Sequence, residues 1–338
     1  MRDVGVEKSV EKSSAEKSKR PAKKLRTTVV GSYPKPSWLK YALGSGDDKA
    51  AEEAYDDAVR AVVKDQEVAG VEILWDGEMR REEMTSYFAE RIEGFVIYGE
   101  VRVWGNTYYP KPAIVDELRY SKPLVVHEFE FLRGITERDI KVPITGAYTL
   151  VDWSFNEYYD SREEAIYALA EIINEELRRL VRAKASFIQL DEPALSTHSS
   201  REELEIARNA VEIMLRGVNV YTALHVCYGE YERLFPEIME FGVDQLDLEF
   251  ANRGFSELGL LEEYGYDLDL GFGCIDVHSR RVESVEEVER AIERVLEFMR
   301  PERVYVDPDC GLKLLPRDIA FEKLRVMCEA AERVRERV

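Results

Sequence analysis

His225 and Cys227 stand two apart in the stretch "YTALHVCYGE", after an apolar run and just before a glycine. Residues two apart in an extended strand project to the same face, so an imidazole and a thiol would leave one wall side by side. Neutral imidazole, thiolate and carboxylate are the donors that tetrahedral zinc accepts. Two more such donors follow at strand-unit spacing: Glu249 lies 22 residues after Cys227, and Cys310 lies 61 residues beyond Glu249 in "DPDCGL". Each has a plain explanation taken singly. A buried Cys acting as a small hydrophobe beside a satisfied His is the commoner reading of H-x-C, and "DPDCGL" also suits a turn. Cys328 falls in a helical stretch and reads as core, while Cys274, just before Asp276, is a fallback ligand.

These donors belong to a wider pattern. Ser32, Glu78, Thr145, Asp191 with Glu192, Asp276 with His278, and Asp309 also gather at the carboxyl ends of apolar, β-branched runs. A lone Asp or Ser there is more often the N-cap of the next helix. Capping, however, requires neither Cys nor His nor paired carboxylates.

The elements that must position these residues alternate along the chain. The strand candidates are "LRTTVVGSY", "VEILWDGE", "IKVPITG", "SFIQLDEPA", "NVYTALHVCYG", "QLDLEFA", "LDLGFGCID" and "VYVDPDCGL". Long amphipathic stretches separate most of them. Ser161 with Glu164, Ser200 with Glu203 and Ser284 with Glu287 fit the S-x-x-E capping box, and Pro316 suits a first-turn position. Eight strand–helix units predict an α/β fold closed as a (β/α)8 TIM barrel, with an open doubly wound sheet as the competing architecture. Phe95 to Phe131, rich in Tyr, Val and Pro, lacks a helical period and predicts a β-hairpin-bearing insertion after strand two. In a barrel the carboxyl ends of the strands converge on one rim, where such enzymes build their active sites.

Composition narrows the function classes. The 338 residues carry a formal net charge of -20 and are 45% hydrophobic. That excess of acid argues against nucleic acid as a partner, and the absence of a long apolar run argues against a membrane span. Residues 1–26 are Lys-, Ser- and Glu-rich with no apolar core, which predicts a flexible basic tail rather than a signal peptide; residues 27–338 would then form a single catalytic barrel. The four Cys are expected to be reduced thiols, in keeping with a cytoplasmic location.

Read in order, "TTVVGSYPKP", "DGEMRREEM", "WSF", "IQLDEPAL", "HVCYG", "DVHS" and "DPDCGLK" resemble the catalytic carboxyl-terminal barrel of cobalamin-independent methionine synthase, from about Leu25 onward. The resemblance implies a zinc-dependent methyltransferase that methylates the thiolate of L-homocysteine to give L-methionine. It implies one zinc ion held by His225, Cys227, Glu249 and Cys310. Ser32 would receive the homocysteine carboxylate, and Glu78 and Asp191 the ammonium. His278 would handle a proton near the transferred methyl, and Trp153 would lie against the pterin of a folate donor. The residue types suit these roles: an amino acid needs a hydroxyl or N–H groups for its carboxylate and acids for its ammonium. A free thiol titrates near 8.5, so it is a poor nucleophile until an ion removes its proton.

Longer members of the family carry a second, amino-terminal barrel with no counterpart in these residues. The donor is therefore open between a methyl-corrinoid protein and a methylated pterin. Two rival readings remain. A related zinc thiol-alkyl transferase acting on coenzyme M would need basic residues for the sulfonate where Glu78 and Asp191 stand. A structural zinc protein would leave those acids and Ser32 without purpose.

Overall fold

The computed structural model describes residues 23–44, 46–104 and 107–338. Most of the expected basic tail therefore lies outside the described residues. Its last residues do not: Leu25 is buried, and Arg26 already belongs to the first strand.

In chain order the strands are β1 (Arg26–Thr27), β2 (Ile73–Leu74), β3 (Ile92–Trp104), β4 (Thr107–Tyr120), β5 (Asp139–Ile140), β6 (Val142–Thr145), β7 (Phe155–Asn156), β8 (Phe187–Asp191), β9 (Tyr221–Val226), β10 (Gln245–Glu249), β11 (Asp269–Ile275) and β12 (Val304–Pro308). Seven of them form one curled parallel sheet in the order β1-β12-β11-β10-β9-β8-β6. The residues of β8 and β10 are buried throughout, as parallel strands covered on both faces must be. β2 pairs with β5 in a separate two-stranded sheet. A single parallel bridge, Thr28 to Ile73, links β2 to the residue after β1.

Two of the expected strands are short. "LRTTVVGSY" contributes only Arg26–Thr27 and "VEILWDGE" only Ile73–Leu74. Beyond these residues the chain leaves regular pairing, and Tyr33 N–H donates to the Gly77 carbonyl instead.

Helices follow most strands, and their starts were written in the sequence. The hydroxyls of Ser161, Ser200 and Ser284 accept from the backbone N–H of Glu164, Glu203 and Glu287. Ser284 completes the reciprocal box, its own N–H donating to Glu287. Pro316 is the N-cap of helix Arg317–Arg335, one residue earlier than the first-turn position expected for it.

Between β2 and β5 the chain forms a long antiparallel hairpin, β3 with β4, whose far strand also pairs with β7. The hairpin-bearing stretch without helical period, expected to run to Phe131, ends earlier, because Val126–Arg133 is an α-helix. Its start is satisfied from another part of the chain. Glu176 Oε1 accepts from the N–H groups of Leu124, Val125 and Val126 at 3.0, 2.6 and 2.8 Å. Nothing local signals a cap supplied from about 50 residues away. Among the described residues no helix is long and apolar enough to cross a membrane.

Candidate active site

Register in the parallel sheet brings the donors together. His225 in β9 lies opposite Asp191 in β8 on one side and Asp247 in β10 on the other. Cys227 follows β9 directly, Glu249 ends β10, and Cys310 lies just beyond β12. The ligand atoms of His225, Cys227 and Cys310 all fall within 4.8 Å of one another. Glu249 lies outside that three-donor span.

Burial and hydrogen bonding define the cluster further. His225 and Glu249 are buried, at 2% and 1% exposure. His225 Nδ1 is 2.9 Å from Asp247 Oδ1, which leaves Nε2 buried without a partner. Glu249 Oε2 accepts from Asn252 Nδ2 at 2.8 Å, and Oε1 has no partner. Buried polar atoms are normally satisfied. An orphaned imidazole nitrogen and an orphaned carboxylate oxygen beside two thiols are what a cation-binding donor set presents, so these residues fit a metal of the zinc type.

The electrostatics agree with donors poised for a cation. The hydrogen bond from Cys227 holds the Cys310 thiol well below its ordinary value, helped by His225. The same bond, together with burial, pushes Cys227 well above its own. Burial raises Glu249, as does the charge of Cys310. Burial alone would lower His225, but the Asp247 carboxylate outweighs it and pushes the imidazole up.

The expected amino-acid side of the site lies next to this cluster. Asp191 accepts from Gln189 Nε2 at 2.7 Å, and burial raises its carboxyl to about 7, with the Glu78 charge adding to the shift. Glu78 adopts a left-handed backbone with φ 57°. Its Oε1 meets Arg81 Nη1 at 3.1 Å and sits 2.9 Å from where a Cβ on residue 31 would be, so Gly31 makes room for the carboxylate. Gly311 does the same for Ser32, whose Oγ would stand 2.1 Å from a Cβ there. Ser32 O also accepts from Leu312 N–H at 2.7 Å, which ties the Ser32 loop to the one carrying Cys310.

The remaining expected residues divide. His278 is exposed, with its N–H on Asp276 at 2.8 Å. Its ring packs at 5.1 Å between centroids against Tyr228, the residue after Cys227. That contact brings His278 to the edge of the cluster. Trp153, 37% exposed, ends the short helix Ala147–Asp152 that follows β6. Three other polar strand ends do structural work. Glu192 accepts from the N–H groups of Tyr148 and Thr149 at the start of that helix. Asp309 accepts from Phe250, Ala251 and Asn252 N–H, and Thr145 donates to the Met84 carbonyl. Cys274 is buried at an irregularity of β11 and is no member of the three-donor cluster. Cys328 packs against Gly70 in the core.

Sequence reasoning passed over Lys141, Asp247, Arg81 and Tyr228. Asp247 carried a signal, since it stands two before Glu249 and so shares its face. Lys141 is a charged residue inside a strand run, and that is unusual enough to prompt a search for a partner. Tyr228 has φ 59°, a backbone state no pattern announces.

Fold and site together define an α/β protein with a thiol–imidazole cluster of metal-ligand type at the carboxyl ends of parallel strands. The family model described as the catalytic domain of cobalamin-independent synthase matches residues 25–333. A methionine synthase from Saccharolobus islandicus is 47% identical over 318 residues, covering 92% of this chain and 95% of its own. One from Sulfurisphaera tokodaii is 46% identical over the same length, with 93% of its own chain covered. The structure of a B12-independent methionine synthase from Shewanella sp. W3-18-1, in complex with selenomethionine, superposes with a TM-score of 0.85 at 28% identity, covering 93% of this chain and 98% of that one. This chain belongs to the cobalamin-independent methionine synthase family and is a methyltransferase.

Proposed function

We propose that the protein transfers a methyl group to the thiol of L-homocysteine to give L-methionine, using one zinc ion held by His225, Cys227, Cys310 and Glu249. The observation that carries this reading is the buried, unpartnered Nε2 of His225 within a cluster of two thiols. The orphaned Oε1 of Glu249, at the end of the neighbouring strand and outside the three-donor span, would supply the fourth donor. When bound, zinc supplies the Lewis acidity that lets a thiol be deprotonated near neutral pH.

The chain's own residues then bind and orient the amino acid. Glu78 and Asp191 offer the two carboxylates that an ammonium group needs, while Arg81 holds Glu78 in place. Ser32, tied to the Cys310 loop, receives the substrate carboxylate. This arrangement directs the substrate sulfur to the three-donor cluster for in-line attack on the methyl carbon, whose bond to the donor's cobalt or pterin nitrogen breaks with the electron pair leaving on the donor. His278, against Tyr228 at the cluster's edge, accepts the released thiol proton. The relative bound to selenomethionine, an analogue of the product, supports an amino-acid site of this kind. Coenzyme M as the alternative thiol is disfavoured because its sulfonate would face Glu78 and Asp191.

The methyl donor is a methyl-corrinoid protein or a methylated pterin, the latter resting on Trp153. We further read residues 27–338 as one catalytic unit whose sheet closes into an eight-stranded barrel. The Thr28–Ile73 bridge and the β2–β5 pair support that closure by joining its two edges, and the β3–β4 hairpin is then the insertion after strand two. Free thiols at Cys227 and Cys310 suit the reducing cytoplasm.

The test is an assay of methionine formation from homocysteine in the zinc-loaded protein, run in parallel with methylcobalamin, a methylated corrinoid protein and methyl-folate. Transfer from one donor is the expected result. No transfer from any of them would overturn the reading.

A further inference from the structure

Against the cluster, in contact with His225, lies a buried charged pair that the reaction as proposed does not use. Lys141 sits at the interruption between β5 and β6, and its Nζ reaches Asp247 Oδ2 at 3.0 Å in β10. Both side chains are wholly buried. The other oxygen of Asp247 faces His225 Nδ1 at 2.9 Å. β11 is shaped to admit this carboxylate: a Cβ at Gly271 would stand 2.7 Å from Asp247 Cγ.

A buried ion pair is poor value as a stabilising device, since apolar residues of the same volume usually do as well or better. Its geometry suggests another use. An ionised carboxylate only accepts hydrogen bonds, so the ring nitrogen facing it must carry the hydrogen. In the neutral ring that a metal would bind, the other nitrogen then keeps its lone pair, and that nitrogen is Nε2, buried without a hydrogen-bond partner. Lys141, by engaging Oδ2, turns Oδ1 toward the imidazole.

We propose that Asp247, oriented by Lys141, is a positioning residue that fixes His225 in the tautomer and ring orientation presenting Nε2 as a metal donor. The proposal rests on the reading of His225 as a ligand. It makes Lys141, buried in the break between β5 and β6, part of the machinery of metal affinity.

The test measures zinc affinity by chelator competition and records the visible spectrum of the cobalt(II)-loaded protein. The variant Lys141→Met/Asp247→Leu removes both charges of the pair; the neighbouring buried carboxyl of Asp307, which burial pushes well above its ordinary value, remains. It should weaken zinc binding by about 10–100-fold and shift the cobalt bands, as loss of a histidine's supporting partner does. The variant Lys141→Met/Asp247→Asn, whose amide oxygen can still accept from Nδ1, should recover most of that affinity; a purely structural pair predicts no such rescue. Zinc binding unchanged in the folded Leu variant would overturn the proposal. Where that variant does not fold, nitrogen-15 NMR of the zinc-loaded wild type decides: Nδ1 protonated and Nε2 bound is expected, and the reverse overturns it. Wild-type protein that takes up no metal would instead sink the ligand reading itself.

Discussion

The floor and the mouth of the site are built on different terms. On the floor, Lys141, Asp247, His225 and Glu249 are no more than 2% exposed. Strand register fixes their relative heights, and Lys141, Asp247 and His225 form one hydrogen-bonded series. At the mouth, Tyr228 is 60% exposed and His278 lies on an open connection; Trp153, proposed to receive a pterin, is 37% exposed. Tyr228 holds a left-handed backbone at φ 59°, a state that costs a non-glycine residue roughly 1–2 kcal/mol. The floor thus spends burial on fixed donor geometry, as the proposed metal requires, while the mouth keeps side chains accessible, as the proposed substrates require.

Removing a donor from the floor should have the largest effect. Cys310→Ser is expected to lose more than about 100-fold in zinc affinity, since even a partner behind a ligand is worth about 10–100-fold. Metal analysis after dialysis reads this directly, and methyl transfer should vanish with the ion.

The mouth should respond in kcat instead. His278→Ala is expected to lower it about 100-fold, within the range of a lost proton-transfer group, with zinc content unchanged. Loss of zinc there would erase the proposed division between floor and mouth.

Glu78→Gln and Asp191→Asn lie between the two. Each removes a charge-assisted bond worth about 1.5–3 kcal/mol, so KM for homocysteine should rise about 10–100-fold while the metal stays bound.

A smaller effect follows from pH. Asp191, raised to about 7 by burial, becomes ionised as pH passes through neutrality, and only the ionised form attracts an ammonium. KM for homocysteine should therefore fall between pH 6 and 8, and the Asp191→Asn variant should flatten that dependence. Folding linkage runs the other way. A carboxyl raised in the folded state contributes stability below its ordinary value near 4, and that contribution is lost as pH rises through about 7. Thermal melts should accordingly show Asp191→Asn gaining on the wild type as pH rises from about 4 to about 7 and holding that gain above it.

The smallest expected change is the strain at Tyr228. Glycine tolerates the left-handed state without penalty, so Tyr228→Gly should be about 1 kcal/mol more stable to denaturant than Tyr228→Ala. Equal stability would mean that the backbone at this position is not strained.

The cluster donors were legible because their chemistry is rare: His225, Cys227 and Cys310 are residue types that ordinary strand ends do not need. Polar strand ends as a class were less informative. Glu192, Asp309 and Thr145 carried the same positional signal, yet they satisfy backbone or loop groups. The alternation of strands and helices was also readable, as were the Ser caps, since period and capping are local properties. The extent of β1 and β2 was not, nor was the helix Val126–Arg133, because pairing partners and the Glu176 cap come from distant segments.

By itself, then, the sequence determined the order of the elements, the donor types and their placement at strand ends, all of which follow from spacing within a few residues. Only the tertiary structure decided which ends meet. Lys141 and Asp247 are 106 residues apart, and no local rule pairs them. The curl of the sheet brings them into contact, and in the low-dielectric interior a charge persists only with a partner, whereas a buried carboxyl that lacks one, as at Asp307, is pushed toward its neutral form.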